Sequence, residues 1–231
     1  MAEVIHCVDL GRMAYGPALE LQHRLVAARQ EGRIGDTLLL VEHNPVITLG
    51  RRAKPEHILA SAEALAAMGV EVHAVERGGD VTYHGPGQLV GYPILHLHER
   101  GLGAADYMHG LEALLIAALA DFGLRAGRRE AYVGVWLGHD KVAALGVRIA
   151  KGVSYHGFAL NVNTDLSAFQ LIIPCGITDG GVTSMARALG HPVDWQAVQQ
   201  RVCEHFAAHF HSPVIRSIPD ELAPLLDQET T

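Results

Sequence analysis

A chain of 231 residues, 49% hydrophobic and 19% charged, has apolar surface enough for one sizeable core, and no Pro/Ser-rich linker divides it. Residues 1–231 therefore read as a single domain, with 216–231 as a peripheral tail. A formal net charge of −7 without any Lys/Arg-rich arm excludes a general nucleic-acid binder. No stretch approaches the roughly 20 apolar residues of a membrane span. The start, with Glu3 and Asp9 and no apolar run, fits neither a signal nor a transit peptide. The expectation is a soluble cytoplasmic protein. The three cysteines, Cys7, Cys175 and Cys203, are odd in number and widely spaced, which is no disulfide framework and suits a reducing compartment.

Residues 4–9 predict a first strand, with Cys7 as a small core side chain. Pro17 marks the beginning of a helix whose apolar face carries Leu21, Leu25 and Ala28 and which ends near Gly32. Residues 36–43 read as a buried strand. After the break at Asn44-Pro45 a short strand at 46–50 leads to Arg51, Arg52 and Lys54, either a solvated loop or a surface for an acidic partner. Ser61 caps a short helix that Gly69 stops, and a strand over 70–75 feeds residues 77–88. Next come a strand at 89–95, a core helix over 104–122 and a second basic cluster at Arg125, Arg128 and Arg129. Strands follow at 133–137, 141–149 and 153–162. A hairpin tip at His139-Asp140 joins the first two and puts Lys141 at a strand start, ordinarily a solvated edge position. A helical turn opens at Asp165, Thr183 or Ser184 caps 185–189, and Asp194 caps a last helix with Trp195, Val198, Val202, Phe206 and Phe210 on one face.

The chemistry concentrates in two places. In Arg77-Gly78-Gly79-Asp80-Val81-Thr82-Tyr83-His84-Gly85-Pro86-Gly87-Gln88, glycines and a proline force the backbone to turn while hydrogen-bonding side chains crowd between flanks that look buried. Such a loop holds a ligand, or is a glycine-rich hairpin with none. Far downstream, Pro174-Cys175-Gly176 sets a thiol on a constrained turn beside backbone N–H groups. Fifteen histidines raise the question of a metal, but His205 and His209 lack the glutamate of His-Glu-x-x-His, and His96 and His98 would need ligands from elsewhere, so none is expected. No Lys-Ser/Thr follows Gly85-Pro86-Gly87, so no phosphate loop is indicated.

Four blocks taken together resemble the lipoyl(octanoyl) transferases, the octanoyl-[acyl carrier protein]:protein N-octanoyltransferases of protein lipoylation. They are residues 77–88, Lys141-Val142-Ala143-Ala144-Leu145-Gly146-Val147-Arg148, His156-Gly157-Phe158-Ala159-Leu160-Asn161-Val162, and Pro174-Cys175-Gly176-Ile177 with Val182-Thr183-Ser184. They stand in the family's order, and the likeness covers about residues 4–215. Ala144 departs from it, occupying a place where many members carry serine. The resemblance implies an α+β fold, a mixed β-sheet flanked by helices like the catalytic domain of biotin and lipoate protein ligases. It implies movement of an octanoyl or lipoyl group to a lysine of lipoyl domains. Carried over, Cys175 is the acyl-accepting nucleophile and Lys141 its activator. Arg77, Gly78, Gly79, Asp80, Val81, Thr82, Tyr83 and His84, with Ala144, Leu145, Gly146, Gly157, Phe158 and Ala159, would line the acyl site. No metal or cofactor is implied, the acyl group arriving on the phosphopantetheine arm of acyl carrier protein. The recipients would be lipoyl domains of 2-oxoacid dehydrogenase complexes and the glycine cleavage H protein.

The chemistry is coherent without the name. A thiol is only a few per cent ionised at neutral pH, and a neighbouring ammonium favours its anion. Glycines 78, 79, 146, 157 and 176 would let backbone N–H groups reach an oxyanion, and His84 and His156 are alternative proton acceptors. Both basic clusters are expected docking surfaces for acidic partners. Two other readings remain: an ATP-dependent lipoate or biotin ligase, which needs no cysteine, and a noncatalytic acyl-binding module in which Cys175 is incidental.

Overall fold

The computed structural model describes residues 4–130, 132–173 and 180–219. Its strands are β1 (Ile5–Met13), β2 (Thr37–His43), β3 (Val46–Leu49), β4 (Glu71–Ala74), β5 (Val81–His84), β6 (Gln88–Ile94), β7 (Gly127–Arg129), β8 (Tyr132–Leu137), β9 (Asp140–Ala150), β10 (Val153–Asn161) and β11 (Val214–Ser217). The helices are α1 (Tyr15–Gln30), α2 (Ala62–Ala67), α3 (Ala104–Ala120), α4 (Met185–Leu189) and α5 (Trp195–His209). An eight-stranded mixed sheet runs β11-β1-β2-β6-β10-β9-β8-β7, and a three-stranded sheet runs β4-β3-β5. This is the expected α+β architecture. None of the described helices is long and apolar enough to cross a membrane.

Helices cover both faces of the large sheet, so its central strands are apolar at consecutive positions rather than alternate ones. Leu38 and Leu40 of β2 join Leu89, Phe158 and Leu160 under α3 and α5. Their neighbours Leu39 and Val41 turn the other way, onto Leu25 and Ala28 of α1 with Val90 and Ala159. Three helix starts follow from side-chain caps: Ser61 Oγ accepts from Ala64 N, Ser184 Oγ from Arg187 N, and Asp194 from Gln196 N and Ala197 N.

Several elements differ from the sequence reading. β1 runs on to Met13 because a register shift between Asp9 and Arg12, with Gly11 at φ +60°, lets it resume pairing with β2. Part of the predicted loop 77–88 is a strand: β5 pairs antiparallel with β3, His84 opposite Val46 and Val81 opposite Leu49. The upstream flank taken as buried is an exposed edge, since β4 pairs on one side only and Glu71, Val72 and Ala74 face solvent. Two strands had no sequence signal. β7 is a three-residue edge strand, and β11 adds to β1 in parallel, pairing Cys7 with Arg216 and Val8 with Ser217. Residues 216 and 217, placed in a peripheral tail by sequence, thus end a strand of the large sheet.

Candidate functional site

The two sheets meet where β5 and residues 77–80 lie against β9 and β10. Gly78 N donates to Val147 O at 3.0 Å. A Cβ on Gly146 would come within 2.9 Å of Gly78 O, and one on Gly157, its partner in register across β9 and β10, would collide with Gly91 O. Only glycine allows this approach. Between the sheets lie three adjoining cavities. One of about 250 Å³ is lined by Thr82, Gln88, Trp136, Lys141, Ala144, Ala159, Asn161, Phe169, Arg187 and residues 180–182. A smaller pocket of about 40 Å³ shares Thr82, Ala144 and Ala159 with it and continues to Tyr15, Arg77, His84, Tyr92, His156, Gly157 and Phe158. An outer groove of about 560 Å³ shares Lys141 with the first cavity and Gly79, Leu145 and Gly146 with the second, and reaches Gly78, Asp80 and Arg52.

Most residues singled out by sequence therefore converge. Val81 and Tyr83 do not line these cavities, because alternate strand residues face opposite ways. Val81 is fully buried among Ile47 and Leu65, and the Tyr83 ring packs 5.6 Å from Phe169. Lys141 is not the solvated edge residue that its strand position implies. It is 8% exposed, with Nζ 4.8 Å from the centre of the Trp136 ring. Gly134, at φ +137°, leaves room for the lysine stem, since a Cβ there would stand 3.1 Å from Lys141 Cε. Glu112 fixes that neighbour, accepting from Gly134 N at 3.0 Å and from Arg128 Nε at 2.8 Å.

Sequence reasoning missed the polar network beneath the cavities. Arg77 Nη2 donates to Thr48 O at 2.7 Å and to Thr48 Oγ1 at 2.8 Å, and Thr48 Oγ1 lies 3.4 Å from His84 Nε2. His84 Nδ1 meets Gln88 Oε1 at 2.8 Å, while Gln88 Nε2 donates to Asn161 Oδ1 at 2.9 Å and Asn161 Nδ2 to Thr183 O at 3.0 Å. Since the Gln88 oxygen can only accept, the proton of neutral His84 sits on Nδ1, and Nε2 accepts from the Thr48 hydroxyl. Burial first, then the neighbouring His43 and the Arg77 guanidinium, hold His84 down to about 3, so it stays neutral. The same logic fixes His43, whose Nδ1 bonds Met13 O at 2.9 Å and whose Nε2 accepts from the Tyr92 hydroxyl at 2.7 Å; burial lowers it to about 4. Both histidines hold the wall in place.

His156 is different. It lies in the middle of β10 at φ +54°, a left-handed conformation costing on the order of 1–3 kcal/mol. Its N–H is drawn to Gln22 Oε1 of α1 at 2.9 Å. Its ring is buried beside Arg77, and its nearest carboxylate, Glu76, stands 3.6 Å from Nε2. Burial, then Arg77, lower it to about 4.

Cys175 lies outside the described residues, as do Pro174, Gly176 and Ile177. The residues on either side of 174–179 are fastened to the site. Upstream, Ile173 N donates to His57 O at 2.8 Å, and the His57 ring bonds Asp80 at 2.5 Å. Downstream, Lys141 N donates to Gly181 O and Thr183 N to Lys141 O, each at 2.9 Å. Of the proposed oxyanion donors, Gly78 is excluded because Val147 O takes its N–H. Of the basic clusters, Arg125 is exposed, Arg128 is exposed and paired with Glu112, and Arg129 stacks over Tyr132 and Trp136, at 5.1 and 4.7 Å; Arg51, Arg52 and Lys54 are all exposed, and Arg52 lines the outer groove.

The fold is that of lipoate and biotin protein ligases. A crystal structure of lipoate-protein ligase A bound with ATP superimposes with a TM-score of 0.75 over 99% of this chain and 96% of that one, at 15% identity. The bipartite lipoate protein ligase of Thermoplasma acidophilum gives 0.73 over 98% and 93%, at 16% identity. Residues 14–207 match the lipoyl protein ligase A/B catalytic domain family, and the chain belongs to it. Octanoyltransferases from Acidobacterium capsulatum and Alkaliphilus metalliredigens are 54% identical over 79% of this chain and 79% of theirs, and 45% identical over 93% and 99%, respectively. Within the family the protein is an acyltransferase that moves octanoyl groups in protein lipoylation.

Proposed function

We propose that transfer proceeds through an octanoyl thioester on Cys175, with Lys141 as its proton partner, from acyl carrier protein to lipoyl-domain lysines in the cytoplasm. The observation that carries this reading is the double fastening of Lys141, through its own N–H and C=O, to residues 181 and 183, just downstream of Cys175. The Cys175 thiolate attacks the octanoyl carbonyl, the bond to the pantetheine sulfur breaks, and the departing thiolate takes a proton from the Lys141 ammonium. A lipoyl-domain amine then attacks, loses its proton to the neutral Lys141, and expels Cys175. One thioester is exchanged for another before an amide forms downhill, so ATP is not needed and no cofactor enters.

The acyl chain occupies the cavity beneath Ala144 and Ala159 and ends in the smaller pocket, whose lining includes uncharged histidine and tyrosine rings, glycines and the Arg77 side chain. Arg77, His84 and Tyr92 shape that end, while Val81 and Tyr83 support it from behind. Arg51 and Arg52 at the outer groove suit an acidic carrier. The test is transfer from octanoyl carrier protein to a lipoyl domain in ATP-free buffer. Transfer that disappears in Cys175→Ala and in Lys141→Ala is expected. A requirement for ATP with free octanoate, together with full activity of Cys175→Ala, would establish the ligase reading instead.

A further inference from the structure

On the side of the large sheet lined by α5, two thiols that the transfer chemistry does not use touch each other. Cys7 of β1 and Cys203 of α5, 196 positions apart in sequence, have their sulfurs 3.1 Å apart, and both side chains are buried. A cavity of about 220 Å³ opens onto Cys7, with Asp9, Gln199 and Arg216 in its lining. The Arg216 guanidinium, opposite Cys7 in the β1/β11 register, favours the anion at both sulfurs, and Asp9 opposes it. The hydrogen bond between the two thiols lowers Cys203 and, with burial, raises Cys7, so the first anion of the pair rests on Cys203. Across 3.1 Å the remaining proton can pass between the sulfurs, which lets the thiolate appear on the side facing the cavity.

We propose that Cys7 and Cys203 form a reversible oxidation site that takes a small hydroperoxide through this cavity and closes to a disulfide. Cys7 passes its proton to the Cys203 thiolate and attacks one peroxide oxygen; the O–O bond breaks to leave a sulfenic acid on Cys7, and the departing hydroxide takes a proton from solvent and leaves as water. Cys203 then attacks the Cys7 sulfur and expels the second water, so two thiols and one hydrogen peroxide yield one disulfide and two waters. A dithiol reductant returns both thiols. The contact already brings the resolving sulfur to the attacked one, so closure outruns further oxidation. It ties the sheet to α5 and leaves the acyl cavity untouched.

The test uses the full chain as Cys175→Ser, which leaves Cys7 and Cys203 as its only cysteines. After brief exposure to a small excess of hydrogen peroxide, denaturing alkylation should label neither cysteine. Non-reducing trypsin digestion should yield residues 1–12 joined to residues 202–216, and dithiothreitol should separate them. Parallel mapping of the unaltered chain should recover the same joined peptide. In Cys203→Ser, Cys7 should persist as a sulfenic acid that dimedone traps. Both thiols remaining alkylatable, separate sulfinic acids, or disulfides only between chains would overturn the proposal.

Discussion

Ala144 and Ala159 face each other across β9 and β10, and both line the main cavity and the smaller pocket. Replacing Ala144 by leucine adds three carbons at that junction and displaces about three methylenes of a bound chain. At about 0.8 kcal/mol per buried CH₂, octanoyl binding should weaken by about 2–3 kcal/mol, roughly a 30- to 150-fold loss. With the carbonyl beside Lys141 and the tail toward the smaller pocket, as proposed, a butanoyl chain stops short of the junction and should be spared. The assay compares kcat/KM for octanoyl and butanoyl carrier protein: the octanoyl value should fall by the stated factor while the butanoyl value stays within about two-fold. The ratio also separates pocket filling from misfolding, which lowers both. An equal loss with both chains, or an undiminished octanoyl rate, would refute the placement of the acyl chain.

Gly134→Ala sets a methyl group 2.9 Å from Ala143 O and 3.1 Å from Lys141 Cε at a backbone angle of φ +137°. Transfer should fall about ten-fold or more with little change in KM; steady-state kinetics that leave kcat intact would mean that the lysine stem has no need of that space. Acid should unfold the protein through its buried histidines. His43, His84 and His156 have folded values of about 4, 3 and 4 against 6.5 in the open chain. Their contribution, on the order of 3 kcal/mol each, is fully present above pH 6.5 and drains away as pH falls toward 4. Urea midpoints across that range should slope downward, and His156→Asn, which tolerates positive φ, should flatten the slope by about a third. An unchanged slope would remove His156 from this account. Charge reversal at Arg51 and Arg52 should weaken transfer from carrier protein several-fold and reduce its sensitivity to salt. An identical salt profile in the reversed variant would discard that surface.

Residues whose structure depends on local neighbours were legible in the sequence. The apolar run of β2, the caps at Ser61, Ser184 and Asp194, and the turn before Lys141 could all be seen because each effect lies within a few residues. What could not be seen depends on distant partners. Lys141 looks like an edge lysine until residues 181–183 close over it, and β4 looks buried until the small sheet ends there. β11 is short and half-exposed, with only its pairing to β1 to define it. The Gln88–Asn161 bond joins positions 73 apart, and nothing in the local pattern around either residue announces the other. Some residues that line the cavities, among them Arg77, Thr82, His84, Ala144 and Ala159, stand in the four motifs, whereas Tyr15, Tyr92, Trp136, Phe169 and Arg187 stand outside them, and Val81 and Tyr83 came along with their motif although the strand turns them toward Ile47 and Phe169.

The most direct test of the covalent relay is the intact mass of the protein after mixing with octanoyl carrier protein in the absence of ATP and of any recipient domain. The account predicts a single octanoyl adduct, mapped to Cys175, that forms slowly in Lys141→Met and is discharged when a lipoyl domain is added. An unmodified protein that still transfers octanoyl groups to the domain, or an adduct on any other residue, would contradict it.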